Sequence, residues 1–213
     1  MNGKRVSCEY KLQDSDKIVH AVTRKETPVL DIPIKVLYED KDLIAVDKPC
    51  SMPVHEGGNY KYNTLMGLFE EEHGFKGLKC VHRLDKQTSG IVFFARNEKT
   101  ANEFREAMTT DAVKKEYLAR VSGDFRIAAG GDEVVVKKWV FVADYKKMLH
   151  GCEDEEKLTE EQRKTAKEAE TMFRFESYDQ ESDTSIIRCF PRTGRTHQIR
   201  VHLKSLGSPI AND

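Results

Sequence analysis

What this sequence lacks narrows it first. In its 213 residues no apolar run approaches the roughly 20 residues of a membrane-spanning helix, which argues against a helical membrane protein. The stretch from Met1 to Tyr10 carries charge but no apolar centre, so no secretory signal is visible. The five cysteines, Cys8, Cys50, Cys80, Cys152 and Cys189, are odd in number and form no Cys-x-x-Cys pair. They read as reduced, buried thiols of a cytoplasmic, nuclear or mitochondrial protein, not as the disulfide framework of a secreted one. His197 and His202 are five apart, which is neither a helix-face nor a strand-face spacing, so no metal is expected. No Gly-x-Gly-x-x-Gly follows a strand, which argues against a Rossmann domain. Net charge is only -1, little for a nucleic-acid binder.

The distribution of charge qualifies that last point. From Ile186 to Lys204 the sequence has Arg188, Arg192, Arg195, Arg200 and Lys204 and no acid. From Glu153 to Glu170 it has eight acids and four bases, which cancel the basic stretch in the total. A basic stripe can bind phosphates on a molecule that is near neutral as a whole. The plainer reading of both runs is a solvated charged face.

Hydrophobic residues make up 38% of the chain and charged residues 33%, enough for one core with polar appendages. Residues 1–30 read as an arm, with Tyr10-Lys11-Leu12-Gln13 and Lys17 to Val22 alternating as a hairpin would. Residues 31–213 read as the main domain, starting near Ile34. Strands are expected at Val36–Tyr38, Leu43–Val46, Ile91–Ala95, Tyr117–Val121, Val134–Val136, Met172–Phe175 and Ser185–Phe190. Helices are expected after Asn63-Thr64, from Asn97 to Met108 and from Gln198 to Ser205. Residues 150–167 lack an apolar period and read as an acidic insert, either a mobile loop or an exposed helix. The class is α+β: a mixed, largely antiparallel sheet with flanking helices.

Three residues stand out chemically. Asp85 lies in Val81-His82-Arg83-Leu84-Asp85-Lys86-Gln87-Thr88-Ser89-Gly90, just before an apolar strand. Arg83 and Lys86 beside it favour the ionised form. Most such aspartates only accept hydrogen bonds within a turn, here from Thr88. Arg195 follows the tight Thr193-Gly194 turn; it is either a surface arginine or a planar fork that grips a carboxylate or phosphate. Tyr117 is either a half-buried strand aromatic, the commoner case, or a platform for a flipped base.

The Asp85 segment and Arg192-Thr193-Gly194-Arg195-Thr196-His197-Gln198-Ile199-Arg200-Val201-His202-Leu203 together resemble the RluA-type pseudouridine synthases. Lys48-Pro49 followed by Pro53-Val54-His55 resembles the family's earlier motif. Met52 to Gly58, with Tyr60 to Thr64, is most similar to the eukaryotic branch that acts on the tRNA anticodon stem-loop. Tyr10 to Glu26 resembles the linker after an S4-type RNA-binding module, a module that is absent from this sequence. The family normally continues beyond Ser208-Pro209-Ile210-Ala211-Asn212-Asp213 with further strands and helices.

The resemblance implies a pseudouridine synthase fold with a central cleft, and a monomer that isomerises uridine in RNA, a tRNA first of all, without cofactor or metal. It makes Asp85 the essential aspartate, Tyr117 the active-site tyrosine and Arg195 the partner of Asp85. Leu203 becomes an apolar wall for the detached uracil, and Arg83, Thr88, Arg192, His197 and Arg200 contact substrate or RNA. Asp85 begins the reaction by attacking the sugar, attacking the base or removing a ribose proton; these remain alternatives. The competing readings are a synthase for rRNA or another RNA, a non-catalytic RNA-binding protein that kept the fold, and a hydrolase using Cys189 or Ser89.

Overall fold

The computed structural model describes residues 3–17, 23, 25–110 and 112–213. The arm's expected hairpin needs residues 18–22, which lie outside the described residues. In chain order the elements are β1 (Lys35–Glu39), β2 (Leu43–Lys48), α1 (Leu65–His73), β3 (Lys79–Cys80), β4 (Gly90–Ala95), α2 (Glu98–Thr109) and β5 (Tyr117–Ser122). They continue with α3 (Phe125–Ala129), β6 (Glu133–Asp144), β7 (Leu149–Glu153), α4 (Glu160–Arg163), β8 (Lys167–Asp179), β9 (Thr184–Pro191) and α5 (Gln198–Leu206).

Local chemistry fixes the helix ends. The Thr64 hydroxyl accepts the Gly67 amide at 3.1 Å to start α1, and Gly74 stops it in the left-handed region that glycine adopts without strain. Asn97 starts α2 in the same way, accepting the Thr100 amide at 2.9 Å.

The class is α+β, with the strands divided between two sheets, β1-β2-β4-β3 and β5-β9-β8-β6-β7. Every strand pairing described is antiparallel. In the first sheet Ile44, Val46, Val92 and Phe94 are buried against Leu65 and Phe69 of α1. In the second, Phe173, Ile187 and Cys189 pack with Phe125 of α3 and Leu203 of α5. Burying each such large side chain stabilises the fold by about 1.5–3 kcal/mol. Tyr117 packs against both cores, at the seam between the sheets.

Residues 150–167 are neither a loop throughout nor a single helix. Their first part is β7, paired along β6 with His150 opposite Val142 and Cys152 opposite Val140. A short 3-10 turn at Glu155–Lys157 leads to α4, where Thr159 and Gln162 close a reciprocal capping box. Between them Leu158 is 7% exposed and so belongs to the interior. β7 holds a glycine and no alternating run of β-branched or aromatic residues, so its sequence carries no strand signal.

Candidate active site

The turn that presents Asp85 is local. The Thr88 amide donates to the Asp85 carbonyl at 3.1 Å, closing a four-residue turn. The bond falls on the backbone oxygen, so the turn does not occupy the carboxylate. Among the described residues no hydrogen bond reaches that carboxylate, and its side chain keeps 28% of its exposure. Two groups, the buried Lys48 and the half-buried His82, hold the turn from behind. The fully buried Lys48 ammonium donates to the carbonyls of Pro49 (3.0 Å), Met52 (2.8 Å) and Lys86 (3.2 Å). Burial pulls the Lys48 amine down to about 8, while Cys50 and Asp85 favour its charge. His82 accepts the Phe93 amide at its Nε2 at 3.1 Å, and burial pushes it down to about 4. It is therefore a neutral acceptor that pins this segment to β4.

The second stretch is fixed by Gln198, 4% exposed at the start of α5. Its Oε1 accepts the Thr193 hydroxyl (2.7 Å) and the Arg195 amide (2.9 Å). Its Nε2 donates to the Glu170 carbonyl (3.0 Å) and the Thr171 hydroxyl (2.9 Å). All four positions of the amide are satisfied, so the Thr193–His197 loop is tied rigidly to β8. His197 follows with a left-handed backbone, φ 57° and ψ 20°, uncommon for a residue with a side chain. The result aims its ring back at the Asp85 turn, with Nε2 3.9 Å from Asp85 Oδ2.

A cleft of about 210 Å³ lies between these two stretches. Arg83, Leu84, Asp85 and Thr88 line one side, Tyr117 another, and Arg195, His197, Ile199 and Arg200 the third. Burial first, and then the negative charge of Asp85, raise the Tyr117 phenol. It stays protonated, with its ring on the cleft. Burial lowers His197 below the usual histidine range, with Arg200 and His150 adding to the effect and Asp85 and Asp213 opposing it.

The structure changes several of the expected roles. Arg195 does not pair with Asp85: its Nε donates to the Glu168 carbonyl at 2.9 Å, and no ion pair joins the two side chains among the described residues. Leu203 is fully buried in the second core and does not line the cleft; its apolar lining includes Leu84, Leu118, Pro191, Ile199 and Ile210. Three of the five basic side chains in the acid-free stretch find acids in space. Arg188 holds Glu176 (2.6 Å) and Glu116 (2.5 Å), Arg192 holds Glu170 (2.8 Å), and Arg200 holds Asp213 (2.5 Å). Cys189 is fully buried and its thiol is pushed up to about 12, so it offers no nucleophile.

Sequence reasoning missed Gln198 and His150. The signal for Gln198 was a neutral amide inside a basic run; His150 gave none. Among the described residues no group of three potential ligands is placed to hold a metal, and no helix is long and apolar enough to cross a membrane.

Known proteins match this arrangement. The RNA pseudouridylate synthase family matches residues 42–205. Across its whole length the chain is 39% identical to the mitochondrial tRNA pseudouridine(32) synthase of Saccharomyces cerevisiae, covering 43% of that protein. It is 40% identical over 95% of its length to pseudouridylate synthase RPUSD2 of Homo sapiens, covering 34% of it. The chain thus spans less than half the length of either relative. The structure of human RNA Pseudouridylate Synthase Domain Containing 1 superposes with a TM-score of 0.69 over 88% of this chain and 71% of that one, at 23% identity, a likeness of fold. With its aspartate turn facing the arginine-rich loop across one cleft, the chain belongs to the RNA pseudouridylate synthase family.

Proposed function

We propose that the protein isomerises uridine to pseudouridine in tRNA, within the anticodon stem-loop, with Asp85 as the reacting group. One observation carries this reading: the Asp85 carboxylate is open to the cleft and, among the described residues, free of hydrogen bonds, while the turn that carries it is tied down. A carboxylate spent on the turn would need to be released before reacting.

The isomerisation breaks the N1–C1′ bond and joins C1′ to C5. C5 loses its hydrogen and N1 gains one, so no redox partner or external group is consumed. The target nucleotide leaves its stack to reach the cleft. The Tyr117 ring and the apolar side chains of Leu84 and Ile199 hold the detached uracil while it turns. The neighbouring His197 and Arg195 mark the mouth of the cleft, where the RNA backbone passes. The relatives named for tRNA and the identity across the whole chain support tRNA over rRNA.

The test is to incubate the full-length protein with total tRNA and map pseudouridine at nucleotide resolution. Asp85→Asn keeps the size and removes the charge. The parent is expected to modify an anticodon stem-loop uridine, and the Asn variant to bind the same tRNA without modifying it. Turnover by a purified Asn variant would remove Asp85 from the reaction.

A further inference from the structure

The His197 side chain, which approaches the reacting carboxylate, is itself met by a residue from a distant part of the chain. The His150 ring, on β7, meets the His197 ring edge to face, with centroids 4.9 Å apart and planes at 76°. His197 Nε2 in turn lies 3.9 Å from Asp85 Oδ2. His197 precedes α5 without using its side chain as a cap, and no hydrogen bond to its ring is present among the described residues. Its position therefore depends on packing.

The β6–β7 hairpin is built to bring His150 there. His150 and Cys152 share one face of the strand, and the Cys152 thiol donates to the Val201 carbonyl of α5 at 3.3 Å. The next residue, Gly151, is covered by the Phe141 ring so closely that a Cβ would lie 3.0 Å from its Cζ. A side chain at 151 would make the Phe141 ring give way by a few tenths of an ångström. His150 is half-buried, and its Nδ1 is shut off from solvent with no hydrogen-bond partner among the described residues. A buried polar atom left unpaired is costly, which is the mark of a group retained for something other than stability.

We propose that His150 is a positioning residue: its edge-to-face contact from the β6–β7 hairpin holds the His197 imidazole in place beside Asp85. The inference rests on Asp85 being the reacting group. It adds that the acidic insert's first strand is part of the active site's support.

The electrostatics agree. The groups acting on His197 are Asp85 from the turn, Arg200 on α5, His150 on β7 and Asp213 near the C-terminus. His150 works with burial and Arg200 to keep the ring neutral. A neutral ring leaves the Asp85 charge unpaired and available; a protonated one would pair with it. Activity should therefore fall on the acid side as His197 takes up a proton. Removing His150 removes one influence that lowers His197, so the acid limb should move to higher pH.

Three measurements test this on the full-length protein. His150→Ala should lower the single-turnover rate at saturating tRNA by about tenfold, the upper worth of one edge-to-face ring pair, with tRNA affinity little changed. His150→Phe keeps the ring and loses its nitrogens. It should restore most of the rate at pH 8 while shifting the acid limb upward. Imidazole NMR titration should show the His197 midpoint rising in His150→Phe, with no substrate present. A parent-like rate and pH profile in His150→Ala, or an unmoved His197 midpoint in a folded His150→Phe, overturns the proposal. If the parent modifies no tRNA, the functional reading fails, and the NMR titration alone still decides the His150–His197 contact.

Discussion

The Lys48 ammonium reaches across the fold to the carbonyl of Lys86, the residue after Asp85, at 3.2 Å. The same nitrogen holds the carbonyls of Pro49 and Met52, so one buried cation joins the loop after β2 to the Asp85 turn. Removing it leaves buried carbonyls without a donor, at about 1–3 kcal/mol for an unpaired buried group. Lys48→Met, which keeps the stem, should lower stability by about that amount in urea unfolding. Turnover should fall further than tRNA affinity, because the carboxylate turn loosens while the RNA surface stays. An unchanged midpoint and rate would reduce Lys48 to filler.

Features carried by adjacent residues were legible in the sequence. The Asp85 turn closes through Thr88, three positions on, and the caps of α1 and α2 act over the same short span. Cross-strand relations were not legible. The basic run from Arg188 to Lys204 looked unopposed because its acids come from elsewhere: Glu116 precedes β5, Glu170 and Glu176 lie on β8, and Asp213 is at the end of the chain. Strand pairing brings the first three to their arginines, and Asp213 reaches Arg200 from beyond α5. The Asp85–Arg195 pairing failed for a similar reason, since the β8 backbone at Glu168 takes the arginine. Nothing near His150 in the sequence points to His197, because their contact depends on how the β6–β7 hairpin seats on α5.

The acidic segment gives a prediction that reverses its polar appearance. Leu158 is its buried residue, between the 3-10 turn and α4. Truncating a buried leucine costs about 2–5 kcal/mol, with the low end applying where the site can collapse. Leu158→Ala should therefore lower stability by about 2 kcal/mol, whereas Glu161→Ala, on the exposed side of α4, should change it by less than about 0.5 kcal/mol. Denaturant midpoints for the two variants decide the matter. Equal, small effects would mean that the segment adds nothing to the core.

The acid sensitivity of the fold follows from His202. It is fully buried on α5, its Nδ1 lies 3.0 Å from the Thr171 hydroxyl, and its Nε2 has no partner among the described residues. Burial pushes it down to about 4 from an ordinary 6.5, with Lys138 acting in the same direction. Above 6.5 the ring is neutral both folded and unfolded, so it adds no pH dependence. As pH falls from 6.5 towards 4, the unfolded chain takes up a proton that the folded state refuses, and stability is lost across that window. For one such group the loss between pH 7 and pH 5 is about 2 kcal/mol. His82, shifted to the same value by burial, adds a loss of the same sign. His202→Asn keeps an amide for Thr171 and removes the titration. Urea unfolding at the two pH values should show a smaller drop for the variant than for the parent, with the His82 share remaining. Equal drops would mean that His202 takes its proton within the folded state. In that case the charge would sit beneath α5, about one and a half turns from His197, without loosening the helix from β8.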